Sequence, residues 1–140
     1  MIGNFDCPLP DLPVNIHSVM PAQEYVYLIR IGKGTYKYGH TSNPNYRLYV
    51  LWKELNCRPE HSDYYGDLYG SEMKLILMIT TRSINHSLQI ERELNQTYKD
   101  KRHFRDSRRE WVDLSQEDVK RIKQFFFGVA SPSHISTKHI

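Results

Sequence analysis

The sequence predicts an α+β domain in which a small mixed or antiparallel central sheet of about three strands is flanked by helices. Residues 25–31 alternate between two faces, glycines mark a turn at 32–34, and residues 35–40 are rich in threonine and tyrosine. These features are typical of a β-hairpin. A continuous apolar run within residues 72–81 predicts a central strand covered on both faces. Segments with helical periodicity after Pro44 and after Ser83 supply the flanking helices.

The composition is that of an ordinary globular domain. The 140 residues carry a formal charge of +3, which permits an anionic partner without requiring one. Cys7 and Cys57 lack metal-ligand spacing and predict free thiols in a reducing compartment. No stretch approaches the ~18 apolar residues of a membrane span, and the N-terminus lacks a secretory signal. We therefore expect a cytoplasmic protein with no membrane partner.

The chain divides into three parts. Residues 1–23 contain Pro8, Pro10, Pro13 and Pro21, a density that prevents a regular helix and predicts an extended arm. Residues 24–127 hold the periodic segments and predict the folded domain. Residues 128–140 are polar and predict a flexible tail.

The helix after Pro44 should begin at a cap formed by Ser42 or Asn43. Its apolar residues form a core stripe, and Arg47 falls at the margin of that stripe. A margin arginine can hold its charged head at a cleft, although on an arbitrary helix a surface arginine is the more ordinary interpretation. The stripe consists of Leu48, Leu51, Trp52 and Leu55.

The helix over residues 84–101 places Glu91 near the middle of an apolar face, with Glu93 on the far side. A carboxylate within an apolar face needs a partner, which could be an arginine, a metal ion or water in a cleft. A buried structural ion pair is the alternative. The apolar face comprises Ile84, Leu88, Ile90, Leu94 and Tyr98.

The remaining segments are predicted from composition. Residues 56–70 predict a loop, residues 110–112 a short strand, and Ser115 with Asp118 resembles a capping box that starts a last helix to about Phe127. Residues 99–109 form a basic segment that can neutralise phosphates or simply be solvated. Its candidate nucleic-acid-binding residues are Lys99, Lys101, Arg102, Arg105, Arg108 and Arg109.

Residues 24–113 resemble the GIY-YIG nucleases, most closely a branch found in phage genes and meiotically up-regulated fungal genes. The first family motif maps to residues 25–27 and keeps Tyr27, and the second maps to residues 37–39 and keeps Gly39. Arg47 stands where the family has its arginine. The later E-x-x-L pattern maps the site carboxylate to Glu91.

The resemblance implies a metal-dependent phosphodiesterase site. Tyr27 would act as the base or orient water, Lys37 would supply positive charge, and Arg47 would hold the phosphate. Glu91 would bind Mg²⁺ or Mn²⁺. Two positions depart from the family, since Lys37 replaces a tyrosine and Leu51 stands where many members have histidine or tyrosine. Possible supporting residues are Tyr38, Gly39 and His40, of which His40 would compensate in part.

The expected function is a divalent-metal-dependent DNA endonuclease, located in the host cell if phage-encoded. Its specificity would come from the arm, the loops or a homo-oligomer. A non-catalytic nucleic-acid-binding module of the same fold is the alternative, and a partner-binding domain without nucleic acid is a weaker third. For the nuclease, we expect Tyr27 and Lys37 to line the same wall of a cleft, with Arg47 facing them.

Overall fold

The computed structural model describes residues 4–9, 23–103 and 111–129. The described residues form five strands, four α-helices and three short 3₁₀ turns. The strands are β1 Asn4–Pro8, β2 Glu24–Ile31, β3 Thr35–Thr41, β4 Met73–Thr81 and β5 Val112–Asp113. The helices are α1 Pro44–Asn56, α2 Ser62–Tyr65, α3 Ile84–Thr97 and α4 Gln116–Val129, and the turns are Pro59–His61, Gly66–Leu68 and Lys99–Lys101.

The strands form one antiparallel sheet in the order β1-β4-β2-β3-β5. The predicted α+β class is therefore confirmed, but the estimate of about three strands is wrong. One additional strand comes from the N-terminal arm, where Pro8 pairs with Lys74 of β4. The other is β5, which the sequence predicts as a separate short strand at residues 110–112 and which joins the sheet by pairing with Thr35 and Tyr36. Both extra strands are short and lie at the sheet edges, where a regular alternation of side chains is not needed.

The β2–β3 hairpin fixes which side chains share a face. Ile31 pairs with Thr35, so residues 32–34 form the turn, and Gly32 has a φ of +64°. That left-handed conformation favours glycine because a Cβ atom would be strained there. From this closing pair, odd-numbered residues of both strands face one side of the sheet and even-numbered residues face the other.

Two hydrophobic cores lie on the two faces of the sheet. On the odd-numbered face, Tyr25, Tyr27 and Ile29 pack with α1, and Leu9 shows that the arm also contributes there. On the even-numbered face, the sheet packs against α3 and α4. The α1 contacts are Leu48, Leu51 and Leu55, and the α3 and α4 contacts are Ile90, Leu94, Val119, Ile122 and Phe126.

Three helix starts agree with the predicted caps. Asn43 Oδ1 accepts a hydrogen bond from the Tyr46 amide at 3.1 Å, and Ser83 Oγ accepts one from the His86 amide at 3.1 Å. Ser115 Oγ accepts from the Asp118 amide at 3.1 Å while Asp118 Oδ2 accepts from the Ser115 amide at 3.0 Å. The last pair is a reciprocal capping box made with aspartate.

Several boundaries differ from the predictions. The α3 helix ends at Thr97, and a separate 3₁₀ turn follows at Lys99–Lys101. Residues 56–70 contain short helical turns in place of a plain loop, because Tyr65 and Leu68 are buried and fix the chain locally. The α4 helix continues to Val129, past the predicted start of the tail.

Some predictions fall outside the described residues. These include most of the arm, the tail beyond residue 129, and the basic residues Arg105, Arg108 and Arg109. Among the residues that are described, no helix is long and apolar enough to cross a membrane.

Candidate functional site at the β3 edge

The odd-numbered face of the hairpin carries Tyr27 and Lys37. Tyr27 pairs with Gly39, and Ile29 pairs with Lys37. Alternation along the strands therefore places the Tyr27 and Lys37 side chains on the same face, as we expected for one wall of a cleft. Both side chains are buried, with 1% of Tyr27 and 6% of Lys37 exposed.

Lys37 lies against Trp111, a contact that the sequence did not reveal. The Lys37 Nζ atom is 5.3 Å from the centroid of the Trp111 ring, and Trp111 is 2% exposed. The electron-rich face of an indole attracts an ammonium group. Because little water reaches this position, the indole compensates part of the cost of burying the charge.

Gly39 is required by its cross-strand neighbour. A Cβ atom at Gly39 would lie 2.5 Å from the Tyr27 hydroxyl oxygen and 2.8 Å from its Cζ atom. The Tyr27 ring and hydroxyl therefore occupy the space that a side chain at position 39 would need. The glycine of the second motif thus sets the position of the tyrosine of the first motif.

Arg47 lies in the first turn of α1, the helix that packs on this same face. Its amide donates to the Asn43 carbonyl at 2.9 Å, and its side chain is half-buried. Leu51, one turn later, is 3% exposed and belongs to the core. The residue at position 51 therefore has a packing role, and its side chain has no group that could take part in proton transfer.

The even-numbered face of β3 carries His40 and Tyr38, which meet polar residues of α3. His40 Nδ1 is hydrogen-bonded to Glu91 Oε2. Tyr38 Oη donates to Asn95 Oδ1 at 2.7 Å, and Arg102 Nη2 donates to the same oxygen at 3.0 Å. These five residues form one polar cluster, which we call the α3-face cluster.

The two pairings of the cluster follow from matched spacing. Tyr38 and His40 are two residues apart on a strand, a separation of about 6.6 Å. Glu91 and Asn95 are four residues apart on a helix, a separation of about 6 Å along the axis. The two repeats run side by side, so each strand residue meets one helix residue. Asn95 was missed at the sequence level, although its position one turn after Glu91 was the available signal.

Glu91 lies at the margin of the buried stripe of α3, and the prediction that it sits near the middle is wrong. The buried helical positions are Ser87, Ile90 and Leu94. At 100° per residue, Glu91 lies ~40° outside that stripe. Ile84 and Leu88, which were assigned to the core, are 54% and 38% exposed. The helix is rotated because a small polar residue, Ser87, packs inward and hydrogen-bonds the buried Thr81 hydroxyl at 2.6 Å.

Glu91 is consequently a partly exposed carboxylate and not a buried one. Its side chain is 22% exposed, and that of His40 is 31% exposed. A carboxylate at this depth keeps contact with water and can also bind an ion. The structure thus brings Glu91 and His40 together, whereas Tyr27 and Lys37 lie across the sheet from them.

The edge of β3 connects the two faces. Within the described residues, strand pairing on the outer side of β3 covers only Thr35 and Tyr36. Beyond them, the stretch from Lys37 to Thr41 pairs with β2 on its inner side, and no described strand pairs with it on its outer side. Gly39 lies in this stretch, flanked by Lys37 on one face and His40 on the other. A phosphate that approaches this edge could be reached from both faces of the sheet.

Tyr38 is held as a neutral phenol. Burial raises its pKa above the ordinary value of 10.0, the Arg102 guanidinium opposes that rise, and the Glu91 carboxylate adds to it. Because the net shift of its pKa is upward, Tyr38 keeps its proton at neutral pH and donates a hydrogen bond to Asn95 Oδ1. Tyr38 is therefore suited to positioning Asn95 and not to proton abstraction.

The predicted basic residues in the described part of the chain differ in their surroundings. Lys99 is exposed. Lys101 Nζ donates to Asp118 Oδ2 at 2.8 Å, and this hydrogen bond is the main cause of the lowered pKa of Asp118. Arg102 is part of the α3-face cluster. Lys101 thus has a structural partner at the start of α4, while Arg102 holds a positive charge beside Asn95 and Tyr38.

The site offers a metal ion few protein ligands. Within the described ranges, no group of three or more His, Cys, Asp or Glu residues is arranged to hold a metal ion. Mg²⁺ is commonly bound through one or two carboxylates, with water and phosphate oxygens completing its coordination. Glu91, partly exposed and with one oxygen bonded to His40, has the chemistry of such a ligand.

Comparison with known protein families gives one match. The T5orf172 domain, a phage-associated family of nuclease-like, DNA-binding domains, matches residues 24–127. No curated protein and no solved structure shows significant similarity to the chain.

Proposed function

We propose that this chain, which belongs to the T5orf172 domain family, is a divalent-metal-dependent endonuclease that hydrolyses phosphodiester bonds in DNA. The observation that carries the proposal is the partly exposed His40–Glu91 pair, which lies beside the part of β3 whose outer side no described strand pairs with. A carboxylate–imidazole pair next to cationic side chains can supply both proton transfer and charge stabilisation.

His40 is the proposed general base. If the Nδ1–H group of His40 donates to Glu91, the Nε2 atom retains its lone pair. That nitrogen would then take a proton from the water that attacks phosphorus. A histidine is suited to this role because its ring has two nitrogens, so that one can be oriented by a carboxylate while the other accepts a proton. This assignment gives His40 a larger part than the supporting role expected from the sequence.

Cationic residues on both sides of β3 would stabilise the charge that develops on the phosphate. Lys37 and Arg47 would act from the α1 side, and Arg102 would act from the α3 side. Tyr27 is 1% exposed, so we assign it to positioning of the strand edge over Gly39 in place of proton abstraction. Glu91 would also hold Mg²⁺ or Mn²⁺, which when bound would polarise the phosphate and stabilise the leaving oxygen.

The test is incubation of purified protein with supercoiled plasmid DNA and Mg²⁺ or Mn²⁺, compared with a Glu91→Gln variant. Glutamine has nearly the same shape but cannot carry the negative charge, so cleavage should fall by at least ~100-fold, the lower end of a general-base or electrostatic contribution. Glu93→Gln is the matched control, because Glu93 is an exposed residue of the same helix. Full activity of Glu91→Gln would exclude the proposed site.

The alternative function is a non-catalytic DNA-binding module. The burial of Tyr27 and Lys37 favours it, because these two side chains offer little surface to a substrate. A wild-type protein that binds DNA but cleaves none with any divalent ion would support this alternative. In that case Glu91→Gln should leave DNA binding unchanged or slightly tighter, since a carboxylate repels phosphate.

A further inference from the structure

A basic groove lies at the turn end of the hairpin, away from the candidate site. It has a volume of about 330 Å³ and is lined by residues of β2, the β2–β3 turn, β3 and α4. Four of its lining residues are cationic and none is acidic. The cations are Arg30, Lys33, Lys120 and Lys123, and Tyr36 and Gln116 add polar atoms.

Among the described residues, little negative charge lies against the cations of the groove. In the part of the chain that the structure describes, no carboxylate forms an ion pair with Lys33, Lys120 or Lys123. Arg30 Nη2 is 3.7 Å from Glu72 Oε1, but the Glu72 side chain is 63% exposed, so this pair contributes little. The groove therefore concentrates positive charge that favours an anionic partner.

Arg30 also has an unused donor inside the groove. Its Nε atom is buried and makes no hydrogen bond to any described residue. An unsatisfied buried donor is unfavourable, and an anionic oxygen from a ligand would relieve that cost. Phosphate oxygens are the typical acceptors for an arginine in such a position.

The distance between the groove and the candidate site indicates which anionic partner the groove would bind. Tyr36 lines the groove, and His40 lies four residues further along the same face of β3, a distance of ~13 Å. DNA rises ~3.4 Å per base pair, so this distance corresponds to about four base-pair steps. Arg102, hydrogen-bonded at Asn95 beside Tyr38, lies along the strand between the two positions. The positive charges thus follow a line from the groove to the His40–Glu91 pair.

We propose that this groove binds the phosphate backbone of the same DNA that is presented to the β3 edge, as a second contact about four base-pair steps from the site of chemistry. The inference rests on the proposed DNA-directed function for its choice of partner. The contact is sequence-independent, because phosphates carry no base information. It positions the duplex and adds salt-dependent affinity.

The test is a DNA-binding titration of the variant Lys33→Gln/Lys120→Gln/Lys123→Gln, without divalent ions so that no cleavage occurs. Lys33 and Lys120 are exposed and Lys123 is partly exposed, so the melting temperature should stay near that of the wild type. The matched control is Lys53→Gln/Arg58→Gln/Arg82→Gln, which removes the same charge from exposed positions elsewhere. A short fluorescent duplex is titrated at several salt concentrations.

Loss of three phosphate contacts should reduce the slope of log affinity against log salt by ~2.7. Between 50 and 200 mM salt, the wild type should therefore lose about 40-fold more affinity than the groove variant. The control variant should keep nearly the wild-type slope. This result with two unrelated duplex sequences would support the proposal.

Three other results would overturn it. Equal slopes for the groove and control variants would indicate a general charge effect. If the groove variant binds DNA normally and keeps the wild-type slope of log affinity against log salt, the groove does not contact DNA. The nuclease proposal would not be affected by that result. Groove-dependent binding of polyglutamate without binding of DNA would identify an acidic peptide as the partner. Because binding is measured without metal, a failure of catalysis alone would not affect the outcome.

Discussion

Replacing Gly39 with alanine should destabilise the domain by about 1–3 kcal/mol, the usual cost of overpacking a filled core. The new Cβ atom would lie 2.5 Å from the Tyr27 oxygen and 3.3 Å from its Cε2 atom. Tyr27 is 1% exposed and belongs to the core beneath α1, so its ring cannot move without displacing neighbours. For a domain of this size we expect the melting temperature to fall by roughly 4 °C for each kcal/mol.

Thermal and urea unfolding of a small set of variants tests this reasoning. Gly34→Ala is the matched control in the same hairpin, because the nearest atom to its Cβ is the Leu114 carbonyl oxygen at 4.0 Å. Tyr27→Phe removes the closest atom, so the double variant Tyr27→Phe/Gly39→Ala should be more stable than the sum of the single effects predicts, by at least ~0.5 kcal/mol. Strict additivity, or a wild-type melting temperature for Gly39→Ala, would refute the proposed contact.

Two further predictions concern stability. Trp111→Ala should lower the free energy of unfolding by ~3–5 kcal/mol, because it leaves a cavity under the Lys37 ammonium. Lys37→Met should instead melt within a few degrees of the wild type. Equal losses of stability in the two variants would contradict this prediction. The pKa of Asp118 is lowered in the folded state, chiefly by the hydrogen bond from Lys101. The stabilisation that ionised Asp118 gives the folded state is therefore fully present above its unfolded-state pKa of 3.8. It is lost as the pH falls through the lower pKa of the folded state. The stability difference between wild type and Asp118→Asn should be constant above about pH 5 and shrink below pH 4, and melting curves that diverge towards acid pH would contradict this.

The candidate site was only partly accessible to sequence reasoning. The hairpin alternation was enough to place Tyr27 and Lys37 on one face, and the register agrees. The helical wheel placed Glu91 and Glu93 on different sides of α3. In the structure Glu93 is exposed and Glu91 is partly buried. The catalytic roles of these residues remain predictions. The helical wheel did not predict the rotation of α3 about its axis. In the structure Ser87 packs inward, while the apolar residues Ile84 and Leu88 are exposed.

The sequence by itself determined the local features of the protein. The caps at Asn43, Ser83 and Ser115 depend on side chains three residues or fewer from the amides they bind. The turn at Gly32 depends on one residue's freedom to adopt a positive φ. These interactions are short-range, so residue type and spacing are sufficient to predict them.

Only the tertiary structure decided which distant residues meet. His40 and Glu91 are 51 residues apart in the chain, and Tyr38 and Asn95 are 57 apart. The pairing of Pro8 with Lys74 and the assembly of the basic groove from the hairpin turn and α4 are likewise long-range. Such contacts depend on how the sheet and helices pack to bury the most apolar surface, which is a property of the whole chain and not of any segment. The physical reason is that the residues around one member of such a pair carry no information about which distant residue it will contact.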